Sequence, residues 1–213
     1  MSTRLHCFGE SGHSYKVALM LELIGQPWQP VFVDFFGGAM RSPGYRALNE
    51  MAEAPVLVEG DRVLTQSGAI LLHLAEQSGR FITPDRDEIL RWLFWDNHKG
   101  SGQFGTLRFL RNFLPPARRP AEVIAWFERR CREALGTLER RLESRDWLAA
   151  AEPTIADLSC CGYLYYPEPF GFARADWPAI AAWLGRLSAL PGWKHPYDLM
   201  PGNPADRAAK EDA

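Results

Sequence analysis

The spacing of apolar residues along the sequence changes once, near residue 80, and this change limits the possible folds more than any other feature. Before it, short apolar runs of extended pattern alternate with apolar residues at helical spacing, in the order βαβ and then αββα. Residues 80–87 are rich in turn-forming residues, and every apolar pattern after them is helical. The sequence therefore predicts an α/β domain at residues 1–79, a linker at 80–87 and an all-helical domain at 88–213.

The elements of the first domain have recognisable boundaries. The predicted strands are residues 4–8, residues 30–33 and the two apolar runs around Glu59-Gly60-Asp61, which is typical of a hairpin turn. The predicted helices are residues 17–24, residues 44–48 and the segment that begins at Ser67. We expect Gly25 to end the first helix and Ser67 to cap the third.

The second domain shows only helical spacing of its apolar residues. The predicted helices are residues 88–99, 121–144, 154–166 and 178–190. We expect Gly100, Gly102 and Gly105 to break or bend the first of them. Thr154 and Asp157 have the spacing of a capping box, in which the two side chains satisfy N–H groups of the first turn, and we interpret this pair as structural.

Composition and charge exclude several classes of function. The formal net charge is −2, with 24 Lys and Arg against 26 Asp and Glu, so no basic surplus attracts nucleic acid or an anionic membrane. No apolar leader and no run of about 18 apolar residues occurs, which predicts a cytoplasmic protein that does not span a membrane. The cysteines lack the spacing of a zinc site, so we expect reduced structural thiols and no metal.

The stretch SGHSYKV, residues 11–17, places two hydroxyls, a glycine and a histidine where the first strand passes into the first helix. Serine at such a position commonly caps the helix, and this segment alone favours that role for Ser11. A helix start also presents free N–H groups and a positive potential, which favour a bound anion. The residues leave both roles open for Ser11, whereas Tyr15 and Lys16 are expected on the helix surface.

Four motifs, in their order and spacing, resemble those of the cytosolic glutathione transferases. They are SGHSYKVALML at residues 11–21, NEMAEAPVLVEGD at 49–61, LTQSGAILLHLAE at 64–76 and PTIADLS at 153–159. The resemblance implies a thioredoxin-like first domain, glutathione as co-substrate and a homodimer. The first motif is similar to those of the serine and cysteine classes, in which a catalytic serine or cysteine stands at the head of the first helix.

The resemblance assigns the thiol chemistry to Ser11. Glutathione reacts as its thiolate, and a free thiol with a pKa of ~8.5 is only about 3% ionised at pH 7. Lowering that pKa by about two units needs roughly 2.7 kcal/mol, which a charge-assisted hydrogen bond and a helix start supply together. Ser11 would donate its O–H to the sulfur and Gly12 would let the ligand approach the backbone, while His13 and Ser14 are further candidate ligands.

The other implied glutathione contacts lie before the hairpin and at the third predicted helix. In the family the proline that matches Pro55 follows a cis bond, which would expose the backbone of Ala54 to the cysteine of glutathione. Without the resemblance, a trans proline that begins an edge strand is the default. Gln66 and Ser67 would hold the γ-glutamyl carboxylate. The departures from the family pattern are Glu50, Ala52 and Ala54.

Several other side chains have less certain assignments. Cys7 lies in the first strand, four residues before Ser11, and burial is favoured over catalysis for it. Asp96 resembles positions that reach the γ-glutamyl amine of the partner subunit. Most aromatic residues of the helical domain are expected in the core, and the resemblance implies that some line an apolar pocket for the second substrate. This set is Trp92, Trp95, His98, Phe104, Phe109, Tyr163, Tyr165 and Tyr166.

The sequence thus leads to one principal hypothesis and three alternatives. The principal one is a dimeric, serine-type glutathione transferase that conjugates glutathione to a small apolar electrophile, as in detoxification. A glutathione-dependent isomerase of the zeta type is the first alternative, because SGHSYKV resembles the helix head of that class. The others are a catalytically silent binding or scaffold protein of the same fold, and a disulfide reductase that depends on Cys7.

Overall fold

The structure, a computed structural model, describes residues 3–202 and residue 204. These residues form two compact units: residues 3–80 with 191–202 and 204, and Phe81–Leu190. The predicted order, an α/β region followed by a helical region, is confirmed. Residue 203 and residues 205–213, which the prediction included in the helical domain, lie outside the described residues.

A mixed four-stranded sheet forms the centre of the first unit. Its strands are β1 (Thr3–Cys7), β2 (Trp28–Phe32), β3 (Val56–Glu59) and β4 (Arg62–Thr65), in the spatial order β2-β1-β3-β4. Because helix α1 (Gly12–Ile24) returns the chain across the sheet, β1 and β2 are parallel, while β3 and β4 form the predicted hairpin. Pro30 lies in the edge strand β2, which tolerates its missing N–H.

Helix α1 packs in the core of the first unit. Residues 17–21 of α1 are all fully buried, and Gly25 ends the helix as predicted, with a φ of 71° that glycine adopts easily. The expectation that Tyr15 and Lys16 lie on the helix surface is wrong, because α1 is covered on that side as well and both residues are fully buried. The remaining helices of the α/β region are α2 (Pro43–Leu48) and α3 (Ser67–Ser78).

The second unit is built from α-helices. They are α4 (Arg86–Lys99), α5 (Ser101–Asn112), α6 (Ala121–Leu142), α7 (Ile155–Cys160) and α8 (Pro178–Ser188). Their apolar faces meet in a core that includes the fully buried Phe104, Leu138 and Trp183. None of the helices in the described part of the chain is long and apolar enough to cross a bilayer.

Three glycines shape the start of the helical unit. Gly100 separates α4 from α5, so the expected break falls at the first of them, and Gly102 and Gly105 lie inside α5. A Cβ on Gly102 would clash with the carbonyl oxygen of Asn97, and a Cβ on Gly105 would come within 2.7 Å of the Tyr163 ring. These glycines therefore permit close packing of α5, a helix that the sequence analysis did not predict.

The last described segment groups with the first unit. It contains the short helix α9 (Pro196–Leu199), and the Tyr15 hydroxyl donates to the carbonyl oxygen of Lys194 at 3.0 Å. The Gly9 N–H donates to the carbonyl oxygen of Pro201 at 2.7 Å. The sequence prediction placed all residues from 88 onward in the helical domain. The structure groups residues 191–202 with the first unit instead, because these residues contact α1.

Candidate functional site

The turn between β1 and α1 presents Ser11 at the start of the helix. Ser11 has extended backbone angles (φ −85°, ψ 106°), and its Oγ accepts a hydrogen bond from the Ser14 N–H at 3.1 Å, so it is the N-cap. A hydroxyl has one hydrogen and two lone pairs, and this cap uses one lone pair. No acceptor for the Ser11 O–H is found among residues 3–202 and 204, so the capping role leaves that hydrogen available to a ligand.

Gly12 and Ser14 lie in the first turn of α1, and both are buried. Ser14 is fully buried, and its Oγ has no hydrogen-bond partner within the part of the chain that the structure describes. A buried hydroxyl without a partner costs about 1–3 kcal/mol. Ser14 is therefore a second hydroxyl at the same helix start, buried and without a partner among the described residues.

His13 connects the start of α1 with the start of α3. Its Nδ1 lies 3.2 Å from the Oγ of Ser67, a residue 54 positions later in the chain. Ser67 is buried and His13 is partly exposed. The structure thus brings together side chains that the sequence analysis assigned to two separate motifs.

The start of α3 differs in detail from the sequence prediction. Gln66 holds the N-cap position with a φ of 66° and makes no side-chain cap bond, and Ser67 is the first residue of the helix. The prediction that Ser67 caps α3 is wrong, because the backbone enters the helix one residue earlier. A positive φ is unfavourable for glutamine, and such strained residues cluster at ligand sites. The side chain of Gln66 donates to the Glu53 carboxylate at 2.7 Å.

The segment before β3 contains the predicted cis proline. The Ala54–Pro55 peptide bond is cis, as the resemblance implied. Pro55 is buried and Ala54 is partly exposed. Ala52, which stands where the family usually has glycine, has a φ of 54°, so the backbone keeps a conformation typical of glycine despite the substitution.

Two contacts join the three predicted segments of the site. His13 meets Ser67, and Gln66 meets Glu53, the neighbour of Ala54. The cluster thus combines the starts of two helices, of 13 and 12 residues, with hydroxyl groups. Such an arrangement stabilises anions, such as a thiolate or a carboxylate, through free N–H groups, the helix dipoles and O–H donors. Within the described residues, no group of three or more His, Cys, Asp or Glu side chains is placed to hold a metal ion.

Cys7 is fully buried in β1, which confirms the sequence interpretation. Burial raises the pKa of its thiol to about 12, and a hydrogen bond with the Val31 backbone opposes that rise only in part. The thiol is therefore protonated at neutral pH. A reaction that uses the Cys7 thiolate would have to expose the first strand of the sheet.

Asp96 has a structural role inside the second unit. It is fully buried, and its Oδ1 accepts hydrogen bonds from the N–H and the hydroxyl of Ser101, at 3.0 and 2.8 Å. Its Oδ2 accepts from the hydroxyl of Ser159 at 2.6 Å. The expectation that Asp96 reaches a ligand of the partner subunit is wrong, because the carboxylate is buried and holds the start of α5.

The predicted capping box at the start of α7 is present. The Oδ2 of Asp157 accepts from the Thr154 N–H at 2.9 Å, and the Thr154 Oγ1 accepts from the Ala156 N–H at 3.2 Å. The Oδ1 of Asp157 also accepts from the Leu148 N–H and from the Trp183 indole, at 2.9 and 3.0 Å. This carboxylate therefore ties three segments of the helical unit together.

The aromatic residues of the helical unit lie mostly in its core, as expected. Of the eight side chains that the sequence analysis singled out, the buried ones are Trp92, Phe104, Tyr163, Tyr165 and Tyr166. Trp95 and Phe109 are partly exposed, and His98 is exposed. Exposure alone does not select the residues that meet a second substrate, so their role in a pocket stays a prediction.

Sequence analysis missed two residues next to the cluster. Glu53 binds the Gln66 side chain, and its charge directly before Ala54 is a signal that a closer inspection could have used. Pro201 contacts the turn before Ser11 through its backbone carbonyl. Every residue carries such a carbonyl, so the sequence contains no signal for this second contact.

Sequence comparison identifies the family. The sequence model of the glutathione S-transferase N-terminal domain matches residues 10–77, and that of the C-terminal domain matches residues 109–191. A solved structure of a possible glutathione S-transferase from Rhodopseudomonas palustris is 31% identical, with a TM-score of 0.85 over 92% of this chain and 98% of that one. The chain belongs to the glutathione S-transferase family of enzymes.

Individual relatives carry different names. A disulfide-bond oxidoreductase of Escherichia coli K12, YfcG, is 27% identical over 86% of this chain and 89% of that protein. A maleylacetoacetate isomerase of Pseudomonas aeruginosa is 27% identical over 95% of this chain and 99% of that protein. A solved glutathione transferase of Burkholderia graminis, with two glutathione molecules bound per subunit, is 26% identical with a TM-score of 0.80, over 90% of this chain and 85% of that one.

Proposed function

We propose that this protein is a serine-type glutathione transferase that conjugates glutathione to a small apolar electrophile. The observation that carries the proposal is the state of Ser11, whose lone pair caps α1 while its O–H has no acceptor among the described residues. The first unit, which contains Ser11, would bind glutathione, and apolar side chains of the helical unit would contact the electrophile. The family assignment and the glutathione-bound relative support this proposal.

In the proposed reaction the protein favours the thiolate form of bound glutathione. The Ser11 hydroxyl donates to the sulfur, and the start of α1 adds a positive potential at the same point. The buried Ser14 hydroxyl, which has no partner in the described part of the chain, is a second polar group at that helix start. The thiolate then attacks the electrophilic atom of the second substrate, the new carbon–sulfur bond forms, and the leaving group takes the electron pair.

The remaining predicted residues would bind the rest of the tripeptide. The γ-glutamyl carboxylate would lie at the start of α3, where Ser67, Gln66 and the neighbouring His13 offer donors. The backbone of Ala54, fixed before Pro55, would pair with the cysteine residue of glutathione in the manner of an added strand. The positive φ of Gln66 supports this placement, because strained backbone conformations cluster at ligand sites.

The ultraviolet absorbance of bound thiolate against pH tests the proposal. We expect wild-type protein to lower the pKa of bound glutathione to about 6.5, and Ser11→Ala to raise it again by about 1–2 units. Ser42→Ala is a matched control, because the Ser42 hydroxyl caps α2 in the same way, accepting from the Tyr45 N–H at 3.2 Å. Equal thiol pKa values in wild type and Ser11→Ala would exclude the assigned role of Ser11.

An isomerase is the second candidate, and one observation favours it. The Pseudomonas isomerase aligns with 95% of this chain, and 99% of its own length is covered. An isomerase also activates the glutathione thiol but regenerates free glutathione at the end of each turnover. Consumption of glutathione with an aryl halide therefore supports conjugation, whereas conversion of a cis-dienoic acid without loss of glutathione supports isomerisation.

Two further alternatives can be separated by simple measurements. A reductase that depends on Cys7 is disfavoured by the burial of that thiol and by its raised pKa of about 12. Undiminished reductase turnover in Cys7→Ala would exclude this alternative. A silent binding protein would bind glutathione without lowering the thiol pKa. We also propose a homodimer, as the resemblance implies, and a cytoplasmic location, as the sequence predicts; sedimentation and cell fractionation test them.

A further inference from the structure

The last described segment of the first unit, residues 191–202, contacts α1 and the turn before it. We call this segment the C-terminal strap. Near the end of α1, the ammonium group of Lys194 lies 2.7 Å from the Glu22 carboxylate. In the first half of α1, the buried Tyr15 hydroxyl donates to the Lys194 carbonyl at 3.0 Å. Before α1, the Gly9 N–H donates to the Pro201 carbonyl at 2.7 Å. The strap thus holds both α1 and the turn that leads into it.

Buried side chains and close backbone packing fix the strap in place. Pro196, Leu199 and Met200 are buried. At the end of the strap, Gly202 has a φ of 78°, and a Cβ there would clash with the Phe32 ring of β2. The strap therefore lies close to Phe32, and both the positive φ of Gly202 and the Phe32 ring disfavour a side chain at this position.

The contact at Gly9 lies two residues before Ser11. The turn is closed on its own side by the hydrogen bond from the Ser11 N–H to the Phe8 carbonyl, at 3.1 Å. The Pro201 carbonyl binds the same turn from the strap. Ser11 is thus held between helix α1, whose first turn it caps, and a turn in which Gly9 is bound to the C-terminal strap.

We propose that the C-terminal strap is a positioning device for the Ser11 hydroxyl. This inference rests on the proposed function, in which that hydroxyl binds the sulfur of glutathione. Hydrogen bonds to a charged acceptor weaken steeply when distance or angle departs from the optimum. A loosened strap lets the Phe8–Ser11 turn shift, lengthens the bond from Ser11 to the sulfur and raises the pKa of the bound thiol. Residues at the far end of the sequence then tune the reactivity of the site.

Two variants of the full-length chain test this inference. Gly202→Ala pushes the end of the strap away from Phe32, and Tyr15→Phe removes the hydrogen bond to the Lys194 carbonyl. We expect Gly202→Ala to raise the thiol pKa of bound glutathione by about 0.5–1 unit, which lowers the thiolate fraction about 3–10-fold below pH 6. The shift should be smaller for Tyr15→Phe. The dissociation constant of glutathione, measured where the thiol is protonated, should change less than about twofold.

A control separates the strap from a general loss of stability. Gly171→Ala introduces the same backbone strain, because Gly171 has a φ of 91°, but a Cβ there meets no atom within 4 Å. Gly171 lies in the second unit, so Gly171→Ala should leave the thiol pKa of bound glutathione at the wild-type value. Hydrogen–deuterium exchange of residues 9–15 gives a second measurement on the same variants, and we expect faster exchange in Gly202→Ala than in Gly171→Ala.

The outcomes distinguish failure of this inference from failure of the proposed function. If Ser11→Ala raises the thiol pKa but Gly202→Ala and Tyr15→Phe, both folded, leave it unchanged, the strap does not position Ser11 and the inference is overturned. Unchanged exchange at residues 9–15 in Gly202→Ala overturns it as well. If Ser11→Ala itself leaves the pKa unchanged, the proposed function fails together with the inference, and the exchange data still show whether the strap holds the turn.

Discussion

The helix starts of α1 and α7 use the same capping chemistry with different results. At α7, the Asp157 carboxylate accepts hydrogen bonds from Thr154, Leu148 and Trp183, and no part of it is exposed. At α1, Ser11 accepts one bond and its O–H finds no acceptor in the described residues. Buried polar groups are normally fully bonded, so the complete start belongs to the framework and the incomplete one indicates a place for a ligand.

The largest effect is expected at the complete helix start. Asp157→Ala leaves the N–H groups of Leu148, Thr154 and Trp183 without their acceptor, and should lower the free energy of unfolding by about 3–4 kcal/mol. Urea denaturation measures this loss. The thiol pKa of glutathione bound to the folded fraction should stay at its wild-type value. A change in that pKa would contradict the separation between framework and site.

The next effect should appear at the incomplete start, and in function more than in stability. Ser11→Ala should lower kcat/KM at pH 6.5 about 5–50-fold, the size of the expected change in thiolate fraction. Its cost in unfolding free energy should be about 1 kcal/mol, as for any lost N-cap. Ser42→Ala should show the same stability cost with normal kcat/KM. If Ser11→Ala and Ser42→Ala lowered kcat/KM by the same factor, Ser11 would act only as a helix cap.

A third prediction uses pH to test the bonded framework of the helical unit. Hydrogen bonds from Arg91, and further contacts with Trp92 and Arg141, hold the pKa of Glu88 down at about 2, against an ordinary value of 4.5. Because the folded pKa lies below the unfolded one, this stabilisation is present above about pH 4.5 and is lost as the pH falls toward 2.

Glu88→Gln isolates the contribution of that carboxylate. The variant should lose about 1 kcal/mol of stability at pH 7, since the pair with Arg141 is partly exposed and screened. Thermal denaturation between pH 7 and pH 3 should show the difference between wild type and variant shrinking with acid. A difference that stays constant over this range would mean that Glu88 contributes through packing and not through its charge.

The smallest effect is expected at His13. The His13 Nδ1 lies 3.2 Å from the Ser67 Oγ, close to the proposed γ-glutamyl carboxylate. His13→Ala removes this hydrogen-bonding group and should weaken glutathione binding about 2–4-fold, which titration calorimetry measures. His13→Asn keeps a hydrogen-bonding group and should lose less affinity. Wild-type affinity in His13→Ala would exclude a role for His13 in binding.

Sequence analysis predicted those parts of the structure that depend on local rules or on motif spacing. Gly25 ends α1, the hairpin turns at Gly60, and the capping box forms at Thr154, because each depends on residues close together in the chain. The cis bond before Pro55 was predicted from the family pattern alone. The cluster around Ser11 and Ser67 forms only if two separate motifs lie close together in space. Both motifs resemble those of the glutathione transferases, and this resemblance predicted that they lie close together.

The sequence predictions are wrong where contacts between residues far apart in the chain determine the structure. Lys16 looks like a surface residue by type, yet tertiary packing buries it completely. The predicted helix at 154–166 ends at Cys160, because the chain turns before Gly162 although the apolar spacing continues. The grouping of residues 191–202 with the first unit depends on contacts across most of the chain length, which no window of sequence contains.

The burial of the cysteines has a consequence for the lifetime of the protein during its own reaction. All four lie among the described residues, are buried and form no disulfide. Burial raises the pKa of both Cys7 and Cys131 to about 12, so their thiolate fraction at pH 7 is on the order of one part in 10⁵. A protein that brings thiols together with alkylating compounds is itself exposed to alkylation. Because Cys7 and Cys131 are buried and protonated at neutral pH, both are protected from such alkylation.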